Sequence, residues 1–490
     1  MRLKELGLSL ADVDLGGSDA ESDYKLAEHF VTTPYVQSAL EGKRTLFLGR
    51  KGSGKSALFS QMPALEAAEG RGRIVLQLTP DAYSWSALQR YREQGLFAEH
   101  AHANAWKATI GIEVGSAISN LNIDWPDGAA RSVAVLTRFI EENFGDVSPG
   151  LARTTAGLLK GLGALNLSAF GFGVGLERAD ATEQELTPAV INALWETLVE
   201  PLKHQPVLVE LDRLDDSWDG TDDSRTLLIG LLKASKEIND KLGQVEGGIR
   251  ILIFLRSDIY DGLKFDDKDK HRITEEHILW NEAELREMLA ERLPEGVEVE
   301  DLFEAEEMRG RIQPFDYILK RTFRRPREIL QFIDECLRKA GKDATEISKD
   351  AIREAENQYS KWKVEDLKQE FAKVSPEFGA LLEALRQELH RYDSIDDAIE
   401  VLERKAPDEV AALTPRGAME LLFEASVIGI RLGGGGQTRF KSQDPELTLP
   451  TAGAVYVHQS LYRGLNIKEA RKPVGEPTEE DVAAEDSGIE

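Results

Sequence analysis

The residues best able to do chemistry stand together early in the chain, in Gly49-Arg50-Lys51-Gly52-Ser53-Gly54-Lys55-Ser56. They fit G-x-x-x-x-G-K-[ST], the pattern of a loop that cradles phosphate oxygens. Its glycines let successive backbone N–H groups converge on an anion where a side chain would obstruct it. Lys55 is placed to reach the β- and γ-phosphates of a nucleoside triphosphate, and the Ser56 hydroxyl to hold magnesium. Ala57 leads into a helix whose positive end adds to the field. The expected ligands are ATP and Mg2+, held on Gly49 through Ala57.

A second reactive stretch is Val207-Leu-Val-Glu-Leu-Asp212-Arg-Leu-Asp215-Asp216. It reads as a buried strand ending in carboxylates. Asp212, at the strand end, is the candidate magnesium ligand, directly or through water. Asp215 and Asp216 are candidates to polarise an attacking water, because carboxylates crowded near a metal site raise one another's pKa. The alternative is that they cap the segment that follows. Glu210, two residues before Asp212, is expected to face the other side of the strand. Arg256 and Asp258, at the tip of a later strand, would either sense hydrolysis or form a surface ion pair. Arg327, in Arg324-Arg325-Pro326-Arg327, is placed to reach a γ-phosphate from the start of a helix. Arg324 or Arg325 would act across a subunit boundary or serve as surface charge.

These groups need a scaffold. Arg44–Leu48 and Arg73–Leu78 read as strands, as do Gln205–Asp212 and Gly248–Asp258, with helical patterns between them. The alternation predicts an α/β fold, a doubly wound P-loop NTPase core on a mainly parallel sheet. The core is assigned to residues 21–293, after a flexible lead-in at 1–20. Tyr24–Val31 fits an amphipathic helix, interrupted before a second short one, and either Phe30 or Tyr35 would contact adenine or pack in the core. Pro63 would kink or end the helix after the loop. Residues 100–185 read as an insertion, with a strand or hairpin from Leu165 to Leu176. A helical lid and linker follow at 294–390, with helix continuing over 364–389. Residues 391–468 read as helices followed by strand, glycine-rich tip and strand, a small C-terminal winged-helix domain. The segment 469–490 is expected to be a disordered acidic tail, with seven acidic and no basic residues from Pro473 on.

Composition narrows the function. At 490 residues, 41% apolar and 30% charged, the chain suits a soluble globular protein. Its net charge of −27 disfavours a large nucleic-acid footprint. The single cysteine, Cys336, fits a reducing, cytoplasmic setting. No signal peptide or membrane span is expected, and the histidines lack metal-ligand spacing.

With these parts assembled, the chain resembles bacterial P-loop ATPases of the AAA-related STAND/KAP type. The resemblance is carried by Phe47–Ala57, Leu211–Trp218, Phe254–Tyr260 with Ile278–Leu285, and Arg325–Leu330. The Arg327 segment is similar to the lid arginine of origin-recognition-type ATPases, which are followed by a winged helix. The resemblance implies an ATP-driven switch that forms homo-oligomers or controls a partner effector protein, in signalling or antiviral defence. It also exposes a departure: many ring-forming ATPases place Glu directly after the strand-end Asp, where this chain has Arg213. Two other readings stand beside the switch. One is a DNA-binding ATPase using Arg431, Arg439, Lys441, Arg463 and Lys468. The other is a nucleotide sensor or scaffold that does not hydrolyse.

Overall fold

A computed structural model describes residues 2–91, 97–160, 165–166, 168–170, 183–243, 247–431 and 437–469. The chain divides into two compact units. One comprises Val13–Val297 with Arg325–Leu330, and the other comprises the residues up to Asp12, Glu298–Arg324 and the chain from Gln331.

The first unit is mixed α/β. Its strands are β1 (Leu46–Leu48), β2 (Ile74–Leu78), β3 (Val207–Leu211), β4 (Ile249–Leu255) and β5 (Glu275–His277). They form one parallel sheet in the order β2-β3-β4-β1-β5. A parallel sheet carries its crossover helices on its faces, so its central strands are apolar on both sides. Every residue of β1 and β3 is buried accordingly.

Helices α1 (Pro34–Glu41) and α2 (Lys55–Ala68) flank β1 in sequence. Their apolar residues pack with Phe47, Leu208, Leu252 and Phe254. Between β2 and β3 run α3 (Ala82–Arg90), α4 (Ala98–Ser119), α5 (Asp127–Phe144), α6 (Gly150–Leu158) and α7 (Glu183–His204). Helix α8 (Asp222–Leu242) joins β3 to β4, and α9 (Ser257–Gly262) and α10 (Glu282–Ala290) follow β4 and β5. The alternate strand residues Leu46, Leu48, Val207, Val209 and Leu211 share a core with α4, α7 and α8. The residues expected to form an insertion thus include helices built into the main core. Gly230 of α8 shows how close the layers come: a Cβ there would stand 2.7 Å from His102 Cβ on α4.

Several sequence expectations are corrected. Tyr24–His29 forms turns rather than an amphipathic helix. Helix α2 does not end at Pro63 but continues to Ala68. A proline lacks the N–H that would satisfy the carbonyl four residues back, and here the side-chain amide of Gln77 donates to that Phe59 carbonyl instead. Ser168–Phe170 forms a 3-10 turn, not a strand; positions 167 and 171–176 of the strand or hairpin expected over 165–176 lie outside the described residues.

The second unit holds α11 (Pro314–Leu319), most of α12 (Pro326–Ala340), α13 (Lys349–Phe371) and α14 (Phe378–Ala384). The continuous helix expected over 364–389 is broken near Pro376, as the missing N–H and restricted preceding residue require. Then come β6 (Arg391–Tyr392), α15 (Ile395–Lys405), α16 (Pro407–Leu413), α17 (Pro415–Glu424), β7 (Ile428–Arg431), β8 (Thr438–Arg439) and β9 (Val455–Val457). The strands make an antiparallel sheet in the order β6-β9-β7-β8. The expected glycine-rich tip at 432–436 and the acidic tail from 470 lie outside the described residues. Among the described residues no helix is long and apolar enough to cross a membrane.

Candidate functional site

Because β1, β3, β4 and β5 run parallel, their C-terminal ends share one edge of the sheet. In open α/β sheets ligands bind in the crevice beyond that edge. The glycine loop leaves β1, Asp212 follows β3, Arg256 follows β4 and Ile278 follows β5. Four segments far apart in sequence are thereby brought to one place.

The loop's shape depends on two glycines. Gly52 has φ 81° and Gly54 φ 99°, in the region where a Cβ is strained. Gly54 is also the N-cap of α2, so the free N–H groups of that helix open onto the loop. Trp280 Nε1 donates to the Ser53 carbonyl at 2.8 Å and braces the loop from the segment after β5. Tyr35 meets Trp280 edge to face, 5.9 Å between centroids, and is buried, while Phe30 packs against the same cluster. Both aromatics therefore belong to the core beside the loop.

Lys55 is buried, and its ammonium donates to the carbonyls of Gly49 at 2.8 Å and Arg50 at 3.2 Å. Burial lowers its pKa, against which the charges of Asp215 and Asp212 act. The Ser56 hydroxyl lies beside the Asp212 carboxylate. Burial raises the Asp212 pKa, and the neighbouring Ser56 hydroxyl opposes the shift. The second oxygen, Oδ2, is buried without a hydrogen-bond partner. A buried carboxylate oxygen left unsatisfied beside a hydroxyl is costly unless a cation completes it. These residues fit a magnesium ion.

Asp215 and Asp216 part company. Arg256 Nη1 lies 3.7 Å from Asp215 Oδ2, while its Nη2 and Nε donate to Asp258 at 2.6 and 3.2 Å. Arg50 Nη1 lies 3.8 Å from the same Asp258. Asp215 therefore sits in a chain of charges that includes the loop. Asp216 is 65% exposed and lies 3.9 Å from Arg213. Glu210 is corrected: alternate strand residues share a face, so it lies on the side of Asp212 and α2. It is fully buried, accepts from Gln77 Nε2 at 3.1 Å, and burial raises its pKa well above the usual range.

A solvent-open cleft of about 550 Å³ runs over the loop. Gly52, Gly54, Lys55, Ser56 and Ala57 line it, with Pro326, Arg327 and Leu330 at the start of α12. Arg327 stands close over the loop, since a Cβ on Gly52 would lie 3.1 Å from Arg327 Cβ. Arg325, buried, donates to the Lys51 carbonyl at 3.1 Å and so supports the loop backbone. Arg324 adopts φ 56° within the second unit.

Sequence reasoning missed three contributors. Residues 17–21, Asp23 and Leu26 form part of the cleft wall. Arg292, just past α10, also lines it, and its Nη2 donates to Asp23 Oδ2 at 3.0 Å in a buried pair. Trp280 is the third. The adjacent glycines 16 and 17 were the only local hint of a tight fold near the N-terminus; Arg292 carries no signal of its own, and Trp280 stands in Ile278–Leu285, a stretch read for its resemblance and not for a contact with the loop.

Comparisons with known proteins find similarity over parts and over most of the chain. Residues 282–368 match the family model of the FunZ-associated C-terminal helical domain. The chain is 23% identical to the "Putative transposon gamma-delta 80.3 kDa protein" of Escherichia coli K12, over 513 residues covering 94% of this chain and 68% of that protein. A solved structure of the Aeropyrum pernix ORC2 protein, in ADPNP–ADP complexes, aligns over 87% of each chain at 14% identity with a TM-score of 0.35.

Proposed function

We propose that this protein binds ATP with magnesium at the loop Gly49–Ala57 and hydrolyses it as a regulatory switch. The observation that carries the reading is the Ser56–Asp212 pair, with its buried, unpartnered carboxylate oxygen, beside Lys55 in a glycine loop. Ser56 and Asp212 would hold the magnesium, which supplies positive charge against the phosphate oxygens. Lys55 would exchange the Gly49 and Arg50 carbonyls for phosphate oxygens, and Arg327 would meet the phosphates from α12. Asp215, held by Arg256, would accept a proton from water as the water oxygen bonds to the γ-phosphorus. The bond to the bridging oxygen breaks as that bond forms, releasing ADP and inorganic phosphate.

The mixed α/β sheet with helices on both faces supports a doubly wound core. The resemblance to STAND/KAP-type ATPases supports a cytoplasmic homo-oligomer or an effector partner, and a role in antiviral defence. ATP turnover by the purified chain, with Lys55→Ala as the blank, tests the enzyme. Turnover lost in the variant is expected. ATP binding without turnover above the blank would leave the non-hydrolysing sensor.

A second reading makes the C-terminal part a winged helix that contacts DNA. It is supported by α15–α17 followed by an antiparallel sheet on which Arg431 and Arg391 flank Tyr456, at 4.5 and 5.8 Å from its ring. Of the basic residues first considered, Lys441 is engaged with the Leu447 carbonyl and Glu424. Arg431 and Arg439, both exposed, are the better probes. DNA affinity that falls steeply with salt and drops in Arg439→Glu would favour this reading.

A further inference from the structure

We infer that Arg213 latches an N-terminal loop across the nucleotide cleft, and that breaking the latch speeds nucleotide exchange; the inference rests on the nucleotide-binding reading above. Residues 17–21 line the cleft. The loop they belong to closes tightly on itself: Gly16 has φ 71°, and a Cβ on Gly17 would stand 2.4 Å from the Asp23 nitrogen. Its two ends are held differently. Asp23 is fixed by Arg292, both side chains at most 5% exposed, and Arg292 also donates to the His29 carbonyl at 3.2 Å. That end is an anchor, because separating a buried pair strands a charge. The other end is held by Glu21, whose Oε1 accepts from Arg213 Nη2 at 2.8 Å with both side chains nearly half exposed. A half-exposed pair opens at little cost.

Arg213 is the residue directly after Asp212, and its φ of 61° is unusual for a residue with a Cβ. Its backbone stands beside the Asp212 carboxylate while its guanidinium serves Glu21, with Asp216 3.9 Å away. A glutamate at this position, whatever it did for water, would repel Glu21. Arg213 is thus a positioning residue that ties the cleft wall to the strand end holding the metal candidate.

The test uses the full chain loaded with a fluorescent N-methylanthraniloyl ADP, whose release is followed by stopped flow after excess ADP. ADP keeps hydrolysis out of the readout. Glu21→Gln and Arg213→Gln should each release the probe two- to five-fold faster, the range one half-exposed ion pair supplies. The double variant should be no faster than either single one, Arg213→Lys should stay near the wild-type rate, and high salt should erase the differences. Wild-type release rates in either single variant, or effects that multiply in the double, would overturn the latch while leaving nucleotide binding intact. Probe binding that is absent, or that survives Lys55→Ala, would overturn the nucleotide reading and the latch with it.

Discussion

The hydroxyl of Ser56 lies beside the carboxylate of Asp212, bringing the helix that follows β1 to the end of β3. Strand β4 lies between those two strands, so the contact forms only because all three run parallel and end at one edge. One residue comes from the phosphate loop and the other from a different crossover, yet together they make a single polar site.

That pair predicts how magnesium dependence fails. Asp212→Asn keeps the shape and the Ser56 contact but removes the negative charge. Turnover should fall by roughly 100-fold or more, the scale for losing one preorganised stabiliser of transition-state charge. The variant should also lose any magnesium-dependent rise in melting temperature measured with a non-hydrolysable ATP analogue.

The two neighbouring aspartates should separate cleanly. Asp215 stands 3.7 Å from Arg256, within the charge chain that reaches Arg50, whereas Asp216 is largely exposed beside Arg213. Steady-state kinetics should show Asp215→Ala lowering kcat by about 100-fold, as for loss of a general base. Asp216→Ala should stay within about three-fold of wild type, as a surface pair implies.

Trp280 predicts an effect on binding rather than on chemistry. Phenylalanine keeps the edge contact with Tyr35 but cannot donate to the Ser53 carbonyl. Stability should fall by about 1 kcal/mol, the usual net worth of such a bond. The KM for ATP should rise several-fold with kcat nearly unchanged, because the loop backbone loses its brace. A kcat effect larger than the KM effect would place Trp280 in the chemistry instead.

Stability should respond to acid through His271. Its ring is buried, meets Phe265 edge to face at 5.7 Å, and burial pushes its pKa down to about 4 from an ordinary value near 6.5. The folded state resists the proton that the unfolded chain accepts. The contribution is therefore complete above about pH 6.5 and is lost as pH falls towards about 4. The stability difference between wild type and His271→Phe, from urea unfolding at several pH values, should be flat above pH 6.5. It should shift in the variant's favour below that.

A glycine in the loop supplies the last prediction. Gly54 has φ 99°, with open contact distance to Trp280, so alanine there is limited by the backbone and not by crowding. Gly54→Ala should cost about 1–2 kcal/mol of stability. It should also weaken ATP binding, because relieving the strain turns the N–H groups at the start of α2 away from the cleft.

What the sequence by itself determined is local. Strand, glycine loop and helix lie within some two dozen residues of one another, and their chemistry follows from φ freedom, helix-end N–H groups and a lysine at fixed spacing. The strand ending in Asp212 was legible for the same reason, as an apolar run with a carboxylate at its tip. Only the tertiary structure decided which remote groups complete the cleft. Arg292 meets Asp23, Arg213 meets Glu21 and Trp280 meets Ser53 across long separations in the chain, and although Ser53, Arg213 and Trp280 stand in legible stretches, nothing local to them tells which remote residue each meets. The face taken by Glu210 was decidable from strand pleat alone, yet its burial against Gln77 depended on β2 pairing with β3 in register. Strand order and register fix these meetings, and both are set by the burial of whole sheet faces, a sum over the chain that no single stretch of sequence contains.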